Sequence, residues 1–403
     1  MSNLQAIKIT DRVYWVGAID WALRDFHGYH TSKGSTYNAY LILGEEPILV
    51  DTVKGPFVSE MIERIKSVIP VEKIQYIISN HAEMDHSSGL PEMIQLASPK
   101  KIFTSQAGIQ ALRDHFHQLP DILCKVANGE TLTLGNTHLK FIETKMLHWP
   151  ESMFTYFADE EVLFSQDAFG MHLATQEIFA EHNDPAVLYR EAGTYFANIL
   201  LPYSPLVLQL FKNIEPLKLN IRLIAPVHGP IWRKAEDIQN IFSWWKKWAE
   251  QKIYPKVVIA YDTMWQSTAK MAIAIADGVI QEPGITPLVM PLSSNERSSV
   301  AFELLEAGAF LLGSPTLNQQ TLPSVADLIC YLKGLKRKNL FGQCFGSYGW
   351  GAESITLLKE EMQKMSITLI DEPIKARYVP TVDVLSSCTD LGKKVARLIK
   401  TKI

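Results

Sequence analysis

The chain has 403 residues, a length that predicts two domains, because a single hydrophobic core rarely grows beyond about 250–300 residues. Its hydrophobic content of 47% and charged content of 20% are typical of a globular protein. The net charge of −4 gives no reason to expect a nucleic-acid partner, and no stretch approaches the roughly 20 apolar residues of a membrane span. Residues 1–6 lack the basic and apolar regions of an export signal, so we expect a cytoplasmic protein.

Cysteine usage excludes several kinds of metal site. Cys124, Cys330, Cys344 and Cys388 are widely scattered, and the sequence contains no Cys-x-x-Cys pair. Iron–sulfur, rubredoxin-type and zinc-ribbon sites are therefore not expected within this chain. We expect all four to be buried free thiols in a reducing compartment.

The first 250 residues predict an α/β sandwich, because short strands, helices and hairpins alternate without a regular repeat. The predicted strands are 7–9, 13–16, 37–43, 47–52, 74–78, 101–104, 132–134, 138–142, 153–157, 161–165 and 221–226. The predicted helices are 58–68, 89–96, 185–199, 205–219 and 235–250.

The irregular order of predicted strands and helices ends at residues 251–255. We interpret these residues as a linker between domains at 1–250 and 255–403. Beyond it, strands and helices alternate regularly. The predicted strands are 256–261, 285–291, 309–313, 339–342 and 367–370, and the predicted helices are 268–277, 298–305, 325–334, 352–365 and 389–400. This alternation predicts a flavodoxin-like, doubly wound parallel sheet.

One short segment in the first domain is rich in metal-binding side chains. It follows the predicted strand 74–78 and supplies four candidate ligands, namely His81, Glu83, Asp85 and His86. The segment lies where that strand gives way to a turn, and we expect residues 81, 83 and 85 to share one side of an extended stretch. A strand end is rigid on one side and open on the other, as a metal site requires.

Three further candidate ligands occur in similar contexts. His148, Asp167 and His228 each follow an apolar strand and precede a turn. Any one of them alone would more often be a hydrogen-bonded structural residue. Taken together with the segment 81–86, however, they favour a site for two metal ions.

Three polar loops in the second domain follow predicted strands, at the sheet edge where ligands bind in this fold. They comprise Asp262, Thr263, Met264, Trp265, Gln266, Ser267 and Thr268; Ser314, Pro315, Thr316, Leu317 and Asn318; and Gly346, Ser347, Tyr348, Gly349, Trp350 and Gly351. The first loop opens a helix, where free N–H groups attract anions, and its neutral donors suit a monophosphate such as that of FMN. The sequence has neither a dinucleotide fingerprint nor a Walker loop there. The three loops resemble the phosphate, ribityl and ring loops of flavodoxins.

The motif His-x-Glu-x-Asp-His at 81–86, followed by His148, Asp167 and His228, resembles the flavodiiron proteins. The resemblance covers essentially the whole chain, including residues 25–29 and 36–41. It implies a metallo-β-lactamase-like αββα domain followed by the FMN domain. Zinc hydrolases of this fold carry a second histidine where this chain has Glu83, and a carboxylate there favours iron.

The resemblance also implies roles for individual residues. One iron would be held by His81, Glu83 and His148, the other by Asp85, His86 and His228, with Asp167 as the bridging carboxylate. It leaves open whether His86 coordinates. His27 would either line the pocket as a proton donor or be structural, and Asp51 would support the ligands from behind.

The implied activity is reduction of O2 or NO at a non-haem diiron site fed by FMN, with the choice of gas left open. The electron donor would be external, for instance a rubredoxin or a reduced deazaflavin. A head-to-tail homodimer, or a dimer of dimers, would bring the FMN of one subunit near the irons of another, with Trp149 and Trp350 lining the junction. The alternatives are a zinc-dependent hydrolase fused to a flavodoxin-like module, and an electron-carrying or regulatory flavoprotein with a structural metal.

Overall fold

The computed structural model describes residues 4–403; residues 1–3, part of the segment expected to lack an export signal, lie outside the described residues. The described residues divide into two compact units. The first comprises the residues up to Phe26, Thr31–Tyr195 and Pro205–Lys246, and the second comprises His27–His30, Phe196–Ser204 and Lys247–Ile403. No described helix is long and apolar enough to cross a membrane.

Strands and helices up to residue 249 are mostly short. The strands are β1 Ile7–Lys8, β2 Val13–Trp15, β3 Ala18–Asp20, β4 Asp25–Phe26, β5 Tyr29–His30, β6 Ser35–Tyr37, β7 Tyr40–Ile42, β8 Ile48–Val50, β9 Tyr76–Ile78, β10 Lys101–Thr104, β11 Leu123–Lys125, β12 Thr131–Leu134, β13 Thr137–Glu143, β14 Met153–Phe157, β15 Val162–Gln166 and β16 Leu223–Pro226. The helices are α1 Val58–Lys66, α2 Met84–Ser87, α3 Leu90–Ala97, α4 Gln106–Phe116, α5 Pro185–Tyr195, α6 Ser204–Ile214 and α7 Ala235–Ala249.

The first unit is built on two sheets that pack face to face. One has the order β1-β2-β7-β8-β9-β10-β11 and the other β12-β13-β14-β15-β16. Their facing side chains, such as Tyr40, Phe141 and Phe164, form one buried core. The apolar stripes of α1 and α3 cover the outer face of the first sheet. Outside the second sheet, Phe169 packs on Trp245 of α7, so the unit is the expected αββα sandwich.

The second unit contains a parallel sheet with helices between its strands. Its strands are β17 Lys256–Tyr261, β18 Thr286–Pro291, β19 Ala309–Gly313, β20 Phe341–Tyr348, β21 Thr368–Leu369 and β22 Ile374–Arg377. Its helices are α8 Ser267–Ile280, α9 Arg297–Leu305, α10 Pro323–Leu335, α11 Glu353–Lys364 and α12 Val382–Lys400. The strand order β18-β17-β19-β20-β21, with every pair parallel, confirms the flavodoxin-like prediction.

Two local predictions were wrong. Residues 84–87 form the helical turn α2 rather than an extended segment, so residues 81, 83 and 85 do not share one side. The fourth strand runs over Phe341–Tyr348 rather than 339–342, and therefore contains the first half of the third polar loop. Its continuation pairs with β22, a strand that the sequence reading missed together with α4 and β11. Glycines obscured this strand, because they have low strand propensity and are used here for close backbone packing.

Candidate metal centre and cofactor cavity

The seven predicted ligands converge in the first unit, where they form two adjacent groups. The first group is His81, Glu83, His148 and Asp167, and the second is Asp85, His86 and His228; within each group the ligand atoms lie within 4.8 Å of one another. Six of the residues are buried, and His148 is partly exposed. This grouping matches the division that the resemblance implies.

The turn α2 explains how one segment serves both groups. The chain is extended up to Glu83, whose ψ of 146° precedes the helical turn, and it turns helical at Met84. The change of direction sends His81 and Glu83 to one group and the next two ligands to the other. Asp167 and His228 follow the ends of β15 and β16, which are parallel neighbours, so these side chains start side by side.

Asp167 faces both groups with different oxygens. Its Oδ2 lies 3.0 Å from Nε2 of His81 and 3.1 Å from Nε2 of His148. Its Oδ1 lies 3.3 Å from Nε2 of His86 and 3.6 Å from Nε2 of His228. A carboxylate in this position can bind two metal ions at once, one through each oxygen.

The other two carboxylates each belong to one group. Glu83 Oε2 lies 3.3 Å from Nε2 of both His81 and His148. Asp85 presents Oδ1 to Nε2 of His86 at 3.3 Å and Oδ2 to Nε2 of His228 at 3.2 Å. Each group therefore combines two imidazole nitrogens with a carboxylate of its own and a share of Asp167.

These donors fit a pair of metal cations. Both carboxylate oxygens of Asp85 and of Asp167, and both ring nitrogens of His86, are buried without a hydrogen-bond partner among the described residues. Such atoms are costly to leave unpaired, and a bound cation would satisfy them. Although burial disfavours the charged form, the neighbouring His81 and His86 hold the pKa of Asp167 well below its usual value.

Glu151, which sequence reasoning missed, supports the first group from behind. Its Oε1 lies 2.8 Å from Nδ1 of His81 and accepts the N–H of Ala82 at 3.0 Å. Ser105 donates its hydroxyl to the backbone carbonyl of Glu151 at 2.8 Å. The bond to Nδ1 orients the His81 ring so that Nε2 points to the metal position.

Asp51 accepts hydrogen bonds from Asn80, the residue that precedes the ligand His81. Its Oδ1 accepts the N–H of Asn80 at 2.7 Å and its Oδ2 accepts the side-chain N–H of Asn80 at 2.9 Å. Burial raises the pKa of Asp51 to about 6, with the bonds from Asn80 acting in the opposite direction. Asp51 therefore fixes the position of Asn80, the residue next to His81.

The second group is supported mainly by neutral groups. His228 Nδ1 lies 2.6 Å from the carbonyl oxygen of Thr36 and 3.3 Å from the hydroxyl of Ser35, which is itself 2.8 Å from Nδ1 of His172. The His172 ring centre lies 4.6 Å from that of His228. The ring of Tyr195 lies 5.2 Å from that of His172.

Tyr195 and His172 lie close to the second group, but the sequence did not reveal them. Neither directly follows a predicted strand in the way that the predicted ligands do. Burial, and after it the charges of Asp167 and Glu83, raise the pKa of Tyr195 well above its usual value. Its hydroxyl therefore stays protonated. His27 belongs to the second unit and has a left-handed φ of 54°, so its predicted pocket role stays a prediction.

The second unit contains a cavity of about 740 Å³ that gathers residues from all three polar loops. The predicted lining residues are Met264, Trp265, Ser267, Pro315, Thr316, Leu317, Asn318, Ser347, Tyr348, Gly349, Trp350 and Gly351, and the lining residues not predicted are Gln319, Glu353 and Tyr378. The volume is in the range of cofactor pockets.

Six other predicted residues do not line the cavity: Asp262, Thr263, Gln266, Thr268, Ser314 and Gly346. Several of them hold the loops in place instead. Asp262 accepts the N–H of Thr263 at 2.7 Å and the hydroxyl of Ser324. Ser314 Oγ accepts the N–H of Leu322 at 3.0 Å.

The cavity suits a phosphate joined to a flat ring. Helix α8 begins at Ser267, so its first N–H groups are available to an anion, and the nearby hydroxyl of Thr263 is buried without a hydrogen-bond partner among the described residues. Trp350 is 92% exposed and Tyr378 is 60% exposed, which leaves two aromatic faces available at the edge of the cavity. A planar aromatic group can stack on such faces.

The αββα sandwich with a two-metal ligand set at its strand ends places the first unit in the metallo-β-lactamase class of folds, and the second unit is flavodoxin-like. A family model described as ODP family beta lactamase matches residues 36–229. The nitric oxide reductase of Moorella thermoacetica is 42% identical to this chain over 398 residues, which are 98% of this chain and 99% of that protein.

Solved structures agree with this assignment. The rubredoxin oxygen:oxidoreductase from Desulfovibrio gigas superposes with a TM-score of 0.96 at 41% identity, covering 99% of each chain. The flavodiiron protein from Giardia intestinalis superposes with a TM-score of 0.95 at 31% identity, covering 100% of this chain and 98% of that one. The chain therefore belongs to the flavodiiron protein family.

Proposed function

We propose that this chain reduces O2 to water, NO to N2O, or both, at a non-haem diiron site that receives electrons through FMN. The observation that carries the proposal is the position of Asp167, whose two oxygens face two complete sets of ligands. These residues would hold two iron ions side by side, and such a pair would supply the redox chemistry that the reduction of a diatomic molecule needs. The similarity to a nitric oxide reductase and to a rubredoxin oxygen:oxidoreductase supports the same class of reaction.

The ligand assignment follows the two groups. His81, Glu83 and His148 hold one iron, Asp85, His86 and His228 hold the other, and Asp167 is shared. We include His86 among the ligands, and the support for this is that its Nε2 lies 3.3 Å from oxygens of both Asp85 and Asp167. When bound, the two iron ions would supply the gas-binding positions and part of the electrons, and FMN would supply the rest.

The protein supplies positioning, charge and protons. Tyr195, buried beside the carboxylates with its pKa raised, keeps a proton that can be donated to a reduced oxygen atom. The two roles that the sequence allows for His27, proton donor or structural residue, both stay predictions. In the second unit, the start of α8 would hold the FMN phosphate, and Tyr348, Trp350 and Tyr378, which line the cavity, would offer aromatic faces to the ring.

We also propose a domain organisation, an oligomeric state and a source of electrons for this protein. Residues 1–250 are the diiron domain and residues 255–403 the FMN domain. The protein is a cytoplasmic head-to-tail homodimer, or a dimer of dimers, with Trp149 and Trp350 at the junction. The electrons come from an external donor such as a rubredoxin or a reduced deazaflavin.

The test begins with the composition of the purified protein. We expect about two irons and one FMN per chain, a yellow flavin spectrum, and consumption of O2 or NO with reduced rubredoxin or reduced deazaflavin as donor. Two zinc ions and no flavin would overturn the proposal and favour the hydrolase alternative. Comparing steady-state rates with each gas and each donor decides between the substrates and between the donors.

A further inference from the structure

The two metal positions have matching ligands. Each has two imidazole nitrogens and one carboxylate of its own, Glu83 in the first position and Asp85 in the second, and the two positions share Asp167. The ligand charge is therefore the same on both sides. A difference in charge between the two positions therefore has to come from the groups behind the ligands.

Behind the first position lies a buried carboxylate. Glu151 is 2% exposed, and its Oε1 lies 2.8 Å from Nδ1 of His81 while also accepting the N–H of Ala82. A carboxylate on the far nitrogen gives the imidazole more anionic character and makes it a stronger ligand. In a buried site this charge is poorly screened, so its effect on the metal is large.

Among residues 4–403, no carboxylate is hydrogen-bonded to the far nitrogen of a histidine in the second position. His86 Nδ1 is buried without a hydrogen-bond partner among the described residues, and His228 Nδ1 contacts the neutral carbonyl oxygen of Thr36. Asp51 is also buried and interacts electrostatically with His86 and His81, one ligand of each position, but both of its oxygens accept N–H groups of Asn80 rather than of a ligand ring. The asymmetry therefore rests on Glu151.

We propose that Glu151 makes the two metal positions unequal, so that the iron held by His81, Glu83 and His148 is bound more tightly and is harder to reduce than the other iron. The inference rests on the proposed diiron function. Glu151 is a positioning residue, because it acts through His81 and touches no metal position itself. Its negative charge favours the ferric over the ferrous state of the nearer iron.

The decisive variants are Glu151→Gln and Glu151→Ala. A single oxygen of Glu151 accepts both N–H groups, so the amide oxygen of glutamine can replace it and only the charge is lost. Alanine removes the charge and both hydrogen bonds. Melting temperatures of the metal-free proteins report whether either variant has a folding defect.

The readout is iron release from the holoenzyme to an Fe(II)-specific chelator under anaerobic, reducing conditions. We expect two phases of about one iron each in the unaltered protein, with Asp85→Asn removing the fast phase. In Glu151→Gln the slow phase should become faster by about 10-fold, at the lower end of the range that mutation of a residue behind a metal ligand produces, while the fast phase stays unchanged. Mössbauer spectra of half-reduced 57Fe protein should show one preferentially ferric site, and Glu151→Gln should reduce this preference.

Several results would overturn the inference. These are a single release phase in the unaltered protein, a slow phase that Glu151→Gln leaves unchanged, or an acceleration seen with alanine alone, which would assign the effect to the hydrogen bonds. The outcome is separate from that of the proposed function. A protein that releases its two irons in these two phases but reduces neither gas would refute the function and keep the inference.

Discussion

The role of Asp167 as a shared ligand requires its negative charge and both of its oxygens, since each oxygen faces a different set of imidazoles. Asp167→Asn keeps the size of the side chain but replaces one oxygen with an N–H donor and removes the charge. We expect loss of about one iron per chain and a fall in gas reduction larger than the roughly 10–100-fold that loss of an outer partner causes. Metal analysis together with O2 and NO turnover measures both effects.

Asp159→Asn is the matched control for this prediction. Asp159 also bonds to a histidine, with its Oδ1 2.7 Å from Nδ1 of His138, but this pair lies outside both metal groups. We expect iron content and turnover close to those of the unaltered protein. Full iron content in Asp167→Asn would contradict the assignment of Asp167 as the shared ligand.

At the scale of single residues, the sequence predicts the metal ligands better than it predicts the residues that surround and orient them. His148, Asp167 and His228 were predictable because each follows a strand, and strand ends in such a fold meet at one edge. Glu151 and Tyr195 carry no such pattern: one lies in a turn before β14 and the other ends α5. Their places are set by tertiary packing, which a local pattern does not record.

At the scale of elements, the loops of the FMN cavity depend on a close backbone contact. A Cβ added at Gly346 in β20 would lie 2.0 Å from the carbonyl oxygen of Ser314. Gly346→Ala must therefore separate two cavity loops. We expect a loss of about 1–3 kcal/mol in the free energy of unfolding and weaker FMN binding, measured by denaturant unfolding and flavin titration.

Gly334→Ala serves as the control for this substitution. Gly334 lies in α10, and a Cβ there would meet no atom within 4 Å. Alanine is the better helix former by about 1 kcal/mol, so this variant should be as stable as the unaltered protein or more stable. Normal FMN binding by Gly346→Ala would show that the loops tolerate the displacement.

Arg337 links several elements of the second unit through backbone carbonyls. Its buried guanidinium donates to Leu304 at 2.9 Å, Gln251 at 3.0 Å and Lys252 at 2.8 Å. Burial lowers its pKa to about 10, so it stays charged at neutral pH. Arg337→Met removes these three hydrogen bonds, and a hydrogen bond to a charged group contributes about 1.5–3 kcal/mol.

We therefore expect Arg337→Met to lower the unfolding temperature of the second unit clearly and to leave iron content unchanged. Arg397→Met is the control, because Arg397 is an exposed arginine paired with Glu282 at 2.6 Å, and exposed pairs contribute little. Differential scanning calorimetry and iron analysis separate the two effects. Equal melting curves for the two variants would contradict the role assigned to Arg337.

The sequence predicts the elements of the second unit more accurately than those of the first. Regular alternation identified β17 and β19 with their observed bounds, because buried parallel strands read as continuous apolar runs. The ligand segment was harder, since the turn α2 spans only Met84–Ser87. A helix of one turn is too short to show a helical period, and metal ligands rather than apolar residues occupy it.

At the scale of the whole molecule, the two ligand sets lie in different compact units. A ligand that binds only the folded state stabilises the unit that holds it, by RT ln(1 + [L]/Kd). Diiron binding should therefore stabilise the first unit and FMN the second. Calorimetry of a chain with two such units should show more than one unfolding transition.

Removal of FMN and removal of iron should therefore affect different unfolding transitions. With FMN at 100 times its Kd, stabilisation is about 2.7 kcal/mol, and its removal should lower one transition by about 5–10 °C. Removal of iron by a chelator should lower the other transition instead. The measurement is scanning calorimetry of the holo, FMN-free and iron-free proteins at equal concentration. If both treatments shifted one common transition by equal amounts, the two units would unfold together, and the ligands would not act on them separately.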